Sequence, residues 1–143
     1  MDLKITTGLV EHNLEGINGS FPVLFNPTDG GFAEDLVTAI EKLDALENKY
    51  SDLIRNEEDG AKVFQLGRDK DVEQRAILDG LLGDGCCDTV YGKIRVYAGD
   101  GDGFPLWFSL LTMLLDNMSD AFEKEKAATN PRLEKYVNKY KRK

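Results

Sequence analysis

The sequence predicts an α+β fold in which an N-terminal β-hairpin is followed by a small bundle of three to four helices. Three observations lead to this prediction. The first 25 residues alternate apolar and polar positions on both sides of Asn18-Gly19. Residues 32–54 repeat apolar side chains every three or four positions, as an amphipathic helix does. A segment that starts at Pro105 is apolar on nearly every side, which is typical of a buried helix.

The hairpin is expected over roughly residues 3–25. Asn-Gly pairs are typical of two-residue type I′ turns, so Asn18-Gly19 is assigned to the turn. Pro22 has no backbone N–H to donate, and its strand is therefore expected at the edge of a sheet. The apolar side chains of that strand alternate, at Phe21, Val23 and Phe25.

A long amphipathic helix follows the hairpin and is the clearest element in the pattern. Thr28 or Asp29 is suited to cap its N-terminus, because both side chains accept hydrogen bonds from backbone N–H groups. Its charged residues, including Glu41, Asp44 and Glu47, are expected mostly on the solvent face. The apolar stripe consists of Phe32, Leu36, Ile40, Leu43, Leu46, Tyr50, Leu53 and Ile54.

A second helix is predicted around Asp69 to Leu82, after an exposed loop over residues 56–60. Gly83-Asp84-Gly85 ends it, since glycine is the usual left-handed residue after a helix. Residues 88–92 then fit a short helical turn capped by Asp88. The pattern leaves open the alternative of a brief strand, at Ile94, Val96 and Tyr97.

The central helix is predicted to begin at Pro105, because the missing N–H of proline has no helical partner to lose at the first position. Over residues 106–118 it is apolar on nearly every side. A polar continuation is expected to reach about Ala128, before Asn130-Pro131 interrupts it. The last twelve residues again space apolar side chains as a helix does, at Leu133, Tyr136, Val137 and Tyr140.

Composition and charge indicate one domain with a distinct end. The chain has 143 residues, of which 41% are hydrophobic and 31% charged, as in an ordinary globular domain. Residues 132–143 contain six basic residues and one acidic residue, so the net charge of −8 leaves −13 on the other 131 residues. We therefore expect a single globular domain over residues 1–131 and a basic C-terminal tail or short helix over residues 132–143.

The acidic body argues against partners that are themselves acidic polymers or surfaces. Its negative charge repels the phosphates of nucleic acids and of anionic membranes, so neither a nucleic acid nor a membrane is expected as a partner. No apolar run approaches the 18 or so residues that span a bilayer. Residues 1–5 lack the basic and apolar regions of a secretion signal, which predicts a cytoplasmic protein.

The residues that usually carry chemistry are sparse. His12 is the single histidine, and the two cysteines, Cys86 and Cys87, are adjacent, which is no spacing for a redox or zinc motif. Asp100 and Asp102 match part of a calcium loop, but two ligand positions fall on Ala98 and Ser109, so a solvated, mobile loop is favoured. We expect no enzyme activity and no catalytic, cofactor-binding or metal site.

The candidate partner-binding residues lie at two places in the chain. Trp107 and Phe108 begin the central helix, where they are either core anchors or part of a groove for a partner helix. Met113 and Met118 are expected to fill the core. The basic end supplies the other four candidates, Lys135, Tyr136, Lys139 and Tyr140.

Several segments together resemble a known family. Residues 25–29, Phe-Asn-Pro-Thr-Asp, lead into a helix that begins Phe32-Ala33-Glu34. Residues 75–85 read Arg-Ala-Ile-Leu-Asp-Gly-Leu-Leu-Gly-Asp-Gly, and Val90-Tyr91-Gly92 follows. With the late hydrophobic helix and the basic end, this order is similar to that of the small tail assembly chaperones encoded upstream of the tape measure protein in long-tailed phages and prophages of Gram-positive bacteria.

The resemblance implies a chaperone that binds the tape measure protein and keeps it soluble during tail assembly, in the cytoplasm of the bacterial host. It also implies possible contact with the tail tube protein and a frameshifted longer product, and it leaves self-association open. Two alternatives remain. One is a structural virion protein, such as a head-tail connector or tail terminator, and the other is a protein-binding domain of another kind.

Overall fold

The computed structural model describes residues 1–118 and 132–140. It has the predicted α+β architecture, in which an N-terminal two-stranded hairpin precedes the helices. Strand β1 (Val10–Gly16) pairs antiparallel with β2 (Gly19–Phe25). The sheet has two strands in the described part of the chain, so both are edge strands, as Pro22 predicted.

Two details of the hairpin differ from the prediction. The first strand starts at Val10 and not near residue 3, because Val10 pairs with Phe25, the last residue before the chain turns away at Asn26. The turn is also not type I′. Among the described residues only glycines have positive φ, so Asn18 is not left-handed. The turn residues are 17 and 18, and Gly19, with φ 111°, follows them as the first residue of β2.

Helix α1 (Gly30–Arg55) confirms the long amphipathic helix. Asp29 caps it by accepting a hydrogen bond from the Gly31 N–H at 2.9 Å, so Asp29 and not Thr28 is the cap. Leu36, Ile40 and Leu43 are completely buried. Towards the C-terminus the apolar stripe is less covered, and Leu53 is 45% exposed.

Helix α2 (Gly60–Leu82) begins nine residues before the predicted start at Asp69. Asp59 caps it by accepting from the Ala61 N–H at 3.0 Å. The residues that α2 buries do follow a helical spacing, but most of them are polar or small, at Gly67, Lys70, Asp71, Gln74, Leu78 and Leu82. A search for apolar periodicity therefore underestimates this helix.

Helix α3 (Cys86–Tyr91) resolves the alternatives after α2 in favour of the helical turn. It starts at Cys86 with Gly85 as its cap, two residues before the predicted Asp88 cap. Val96 is buried, but residues 94, 96 and 97 lie in turns and bends, so the brief strand does not form.

Helix α4 (Leu106–Asp116) follows Pro105 and is largely buried, with Trp107, Phe108 and four leucines covered. Residues 132–140 form a helix, named α5 here. Of the two alternatives for the basic end, a tail or a short helix, the structure has the helix. The predicted continuation to Ala128 and the break at Asn130-Pro131 lie outside the described residues. Within the described residues, every helix is too short or too polar to cross a membrane.

The core lies between the hairpin and the helices. One face of the hairpin contributes Leu14, Val23 and Phe25, and α1 packs against both α2 and α4. Helix α3 packs between the hairpin and α2. Two backbone hydrogen bonds attach the hairpin turn to α3. The Ile17 N–H donates to the Val90 carbonyl at 3.0 Å, and the Asn18 N–H donates to the Thr89 carbonyl at 2.9 Å.

The close approach of the hairpin to α3 requires glycine at position 16. A Cβ atom there would lie 2.3 Å from the Val90 Cα, a distance that forces the two backbones apart. We expect Gly16→Ala to lower the free energy of unfolding by about 1–3 kcal/mol, the usual cost of overpacking. Urea denaturation followed by circular dichroism measures the change.

Gly80 provides the matched control, because it lies inside α2 and an added Cβ would meet nothing within 4 Å. Gly80→Ala is expected to stabilise the protein by up to about 1 kcal/mol, since alanine favours the helix. Equal effects of the two substitutions would contradict the packing of the turn on α3.

Candidate protein-binding site

The charged residues of segment 75–85 hold the irregular chain after α3 in place. The Arg75 guanidinium donates from Nε to Asp71 Oδ2 at 2.9 Å, and from Nη2 to the carbonyls of Gly92 at 2.7 Å and Ile94 at 2.8 Å. Asp79 accepts from the Cys87 N–H at 2.9 Å. These contacts fix the segment after α2 against that helix, so Arg75 and Asp79 have structural roles here.

A nearly buried carboxylate joins α1, α2 and α4. Glu47 Oε1 accepts from Lys70 Nζ at 2.8 Å, and Glu47 Oε2 accepts from Gln74 Nε2 at 2.8 Å and from Trp107 Nε1 at 2.9 Å. The Glu47 side chain is only 16% exposed, which corrects its assignment to the solvent face. We call Glu47, Lys70, Gln74 and Trp107 the Glu47 cluster.

The cluster holds Trp107 in one orientation, and α5 packs against that side chain. The Tyr140 ring meets the Trp107 ring edge-on, with centroids 5.8 Å apart and an interplanar angle of 89°. It also contacts Phe108, at 5.5 Å between centroids. Tyr136, one helical turn earlier, is buried in the same core.

Charge complementarity reinforces this packing. Arg132 Nη2 lies 2.7 Å from Glu41 Oε1, and Lys139 Nζ lies 2.7 Å from Asp44 Oδ1. The Tyr140 hydroxyl donates to the same Asp44 carboxylate. Burial, and then this hydrogen bond, raise the pKa of Tyr140, so the hydroxyl stays protonated and remains a donor. A basic helix thus lies on an acidic face of α1.

The six predicted partner-binding residues therefore fall mostly within one internal interface. Trp107, Phe108, Tyr136 and Tyr140 are all less than 10% exposed and contact the chain's own core. Lys139 joins them through Asp44, whereas Lys135 is exposed and forms no ion pair within the described residues. In this conformation the four aromatic residues share one core, and the role of all six residues towards a partner stays a prediction.

The sequence reasoning missed the acidic half of this interface. The sequence pattern places most charged residues of α1 on the solvent face. Three of them recur at intervals of three along the helix: Glu41, Asp44 and Glu47. That spacing places them along one side of the helix. This spacing, together with the basic residues and tyrosines at the end of the chain, could have predicted an acidic face on α1 that binds the basic end.

We use the name "seat" for the surface that receives α5, formed by Glu41, Asp44, Trp107 and Phe108. A groove of about 820 Å³ adjoins it, and Leu133 and Val137 of α5 form one wall. The apolar lining continues through Phe104, Phe108, Met113 and Leu115. Met113 is 44% exposed, so its assignment to the core is wrong, whereas Met118 is buried as predicted. Four carboxylates border the groove, those of Asp100, Asp102, Asp116 and Glu134.

The Asp100 carboxylate closes its own loop. It accepts from the N–H groups of Asp102 at 2.7 Å and Phe104 at 3.2 Å and from the Ser109 hydroxyl at 2.6 Å. These hydrogen bonds, that of Ser109 first, lower the pKa of Asp100. The loop is thus closed by internal hydrogen bonds, while Gly101 and Asp102 at its tip are exposed, as expected of a solvated loop. Residues 1–118 and 132–140 contain no group of three His, Cys, Asp or Glu side chains suited to hold a metal.

The histidine and the cysteines are engaged in packing. The His12 ring stacks on Phe25 with centroids 3.9 Å apart, and its Nδ1 lies 2.9 Å from the Val10 carbonyl oxygen. Cys86 and Cys87 are free thiols with at most 1% of their surface exposed. Burial raises the pKa of Cys86 to about 11 and also raises that of Cys87, so both remain thiols near neutral pH.

Comparison with known proteins found no matching protein family, no matching curated protein and no matching solved structure.

Both cysteines are expected to resist alkylation while the protein is folded. The thiolate is the form of cysteine that reacts. Burial keeps both cysteines protonated and prevents the reagent from reaching their sulfur atoms. At pH 8 we expect iodoacetamide to modify the native chain at least about a hundredfold more slowly than the chain in concentrated guanidinium, as measured by intact mass. Rapid modification of one thiol per native chain would contradict the buried position of α3.

Proposed function

We propose that this chain is a phage tail assembly chaperone that binds the tape measure protein, a long helical chain, and keeps it soluble during tail assembly. Its site of action would be the cytoplasm of the bacterial host, and the tail tube protein would be a further partner. The proposal combines the sequence resemblance with the geometry of the seat.

One observation carries the proposal: the fold docks a basic amphipathic helix on the acidic face of α1. The docked helix is its own, α5, and the contacts are Tyr136 and Tyr140 in the core and Arg132 and Lys139 on the rim. Domains that bind helical partners use the same arrangement of an apolar groove with charged borders. The chain therefore has an apolar surface with charged borders, which is the kind of surface that a chaperone for a helical protein needs.

The net charge of the chain supports the same role. A net charge of −8 keeps a small protein dispersed, and it would do the same for a complex with an aggregation-prone helical partner.

The exposed N-terminal segment favours a second candidate, a ring-forming structural virion protein such as a head-tail connector or tail terminator. Leu3 and Ile5 are 78% and 76% exposed and precede a hairpin that has only two strands. An extended segment with alternating apolar side chains can pair with a sheet edge in another copy. Closed rings of six or more copies would follow from such head-to-tail contacts.

Co-expression with the tape measure protein of the same phage or prophage tests the proposal. We expect that protein to become soluble and to elute in a complex with this chain in size-exclusion chromatography with light scattering. Reversing two charges on the seat, with Glu41→Lys and Asp44→Lys, is expected to lower the soluble yield of the partner several-fold.

The matched control reverses two exposed charges away from the seat, with Glu58→Lys and Asp84→Lys, and should leave the yield unchanged. A partner that stays insoluble with the wild-type chain would contradict the chaperone proposal. A closed ring of this chain alone would favour the structural virion protein.

A further inference from the structure

We propose that α5 is an internal competitor for the site where a partner helix binds. In this proposal the partner is a basic amphipathic helix with aromatic side chains four positions apart, and it replaces α5 on α1 and α4. The inference deepens the proposed function and rests on it in one respect, that the partner is helical.

The chemistry of the partner follows from what the seat already binds. Tyr136 and Tyr140 of α5 lie four positions apart. The Tyr140 ring packs against Trp107 and Phe108, and Tyr136 is buried in the same core. Arg132, four positions before Tyr136, pairs with Glu41, and Lys139, between the tyrosines, pairs with Asp44. Asn48 extends the polar side by accepting from Lys139 Nζ at 2.8 Å. A partner segment with the same order of aromatic and basic residues would make the same contacts.

The contacts that hold α5 are of an exchangeable kind. Both side chains of the Arg132–Glu41 pair are about 40% exposed, and pairs of that kind contribute little to stability. Asp44 is only 13% exposed and accepts from both Lys139 and the Tyr140 hydroxyl. Docking therefore depends chiefly on the two tyrosine rings and on the Asp44 carboxylate.

A longer helix would gain contacts that α5 does not make. The groove lies beside α5, with Leu133 and Val137 as one wall and Phe104 and Met113 among the other lining residues. If α5 leaves, that wall is removed and the groove becomes continuous with the seat. A longer partner helix could then cover Phe104 and Met113 as well as Trp107. Asp102 and Asp116 border this extension, so basic residues are favoured along it too.

The sequence connection makes the competition selective. Only 13 residues separate Met118 from residue 132, so a released α5 stays at a high effective concentration near the seat. A partner helix must therefore bind the seat more tightly than the tethered α5 rebinds it. Short or weakly basic helices would be rejected, and long basic amphipathic helices would be accepted.

The test measures exchange in the full chain. The probe is a fluorescein-labelled peptide with the sequence of residues 132–143, and its binding is followed by fluorescence anisotropy. Lys139→Glu repels Asp44 and loosens the chain's own helix while leaving the seat intact. Lys135→Glu makes the same charge change on α5 at a position that forms no ion pair within the described residues.

We expect the peptide to bind the Lys139→Glu chain about three- to tenfold more tightly than the wild-type chain, because a larger fraction of seats is open. The Lys135→Glu chain should match the wild type within about twofold. Arg132→Glu, at the other ion pair, should also increase affinity, which guards against a folding defect in one variant. Adding Asp44→Asn to the Lys139→Glu chain should reduce the affinity again. Trp107, the single tryptophan, reports the seat directly through its emission.

Equal affinity for all the chains, or no binding to the Lys139→Glu and Arg132→Glu chains, would overturn the inference. The tape measure protein takes no part in this test. If the peptide does not exchange but co-expression succeeds, the competitor role alone fails. If the peptide exchanges and co-expression fails, the chaperone proposal fails and the seat remains a helix-binding surface.

Discussion

The carboxylate of Glu47 is the interaction on which the arrangement of the helices depends. It accepts hydrogen bonds from Lys70, Gln74 and Trp107, and so joins α2 and α4 to α1. Burying a charge is costly unless it is paired and hydrogen-bonded, and burying Lys70 and the Trp107 N–H without a partner would be costly as well. The carboxylate pairs with all three donors, so α2 can bury a polar stripe, and the Gln74 Oε1 is the buried polar side-chain atom left without a hydrogen bond among the described residues. The same carboxylate fixes the tryptophan against which α5 packs.

This dependence explains how much of the fold the sequence could predict. The apolar stripe of α1 and the alternation around Asn18 follow local rules. Both elements formed, the hairpin with a later start and another turn type. Helix α2 was predicted nine residues too short because residues 60–68 bury only Gly67 and leave Phe64 72% exposed, so no apolar stripe marks them. Within the predicted part, the burial of Lys70, Asp71 and Gln74 depends on partners from other elements. The Asp71 carboxylate, for example, accepts from the Val96 N–H at 2.8 Å. No local pattern contains that information.

The candidate site was predictable in its parts but not in its assembly. Trp107 and Tyr140 were chosen for their residue type, and the sequence could not show that their rings would meet edge-on. Nor could it show that Asp44 would receive both Lys139 and the Tyr140 hydroxyl. The sequence shows an acidic body and a basic end. In the structure the basic helix α5 packs on the acidic face of α1 and against the aromatic rings of Trp107 and Phe108. A surface suited to amphipathic helices is the functional property that this geometry supports best.

The Glu47 cluster positions the seat for α5. This coupling can be measured by a double-mutant cycle between Glu47→Gln and Tyr140→Ala, with the free energy of unfolding obtained from urea denaturation. Loss of the Glu47 contact should free Trp107 and weaken its packing with Tyr140. We predict that the two substitutions together cost about 0.5–1.5 kcal/mol less than the sum of their separate effects. Additivity within about 0.3 kcal/mol would show that the cluster and the docked helix are independent, and it would contradict the account.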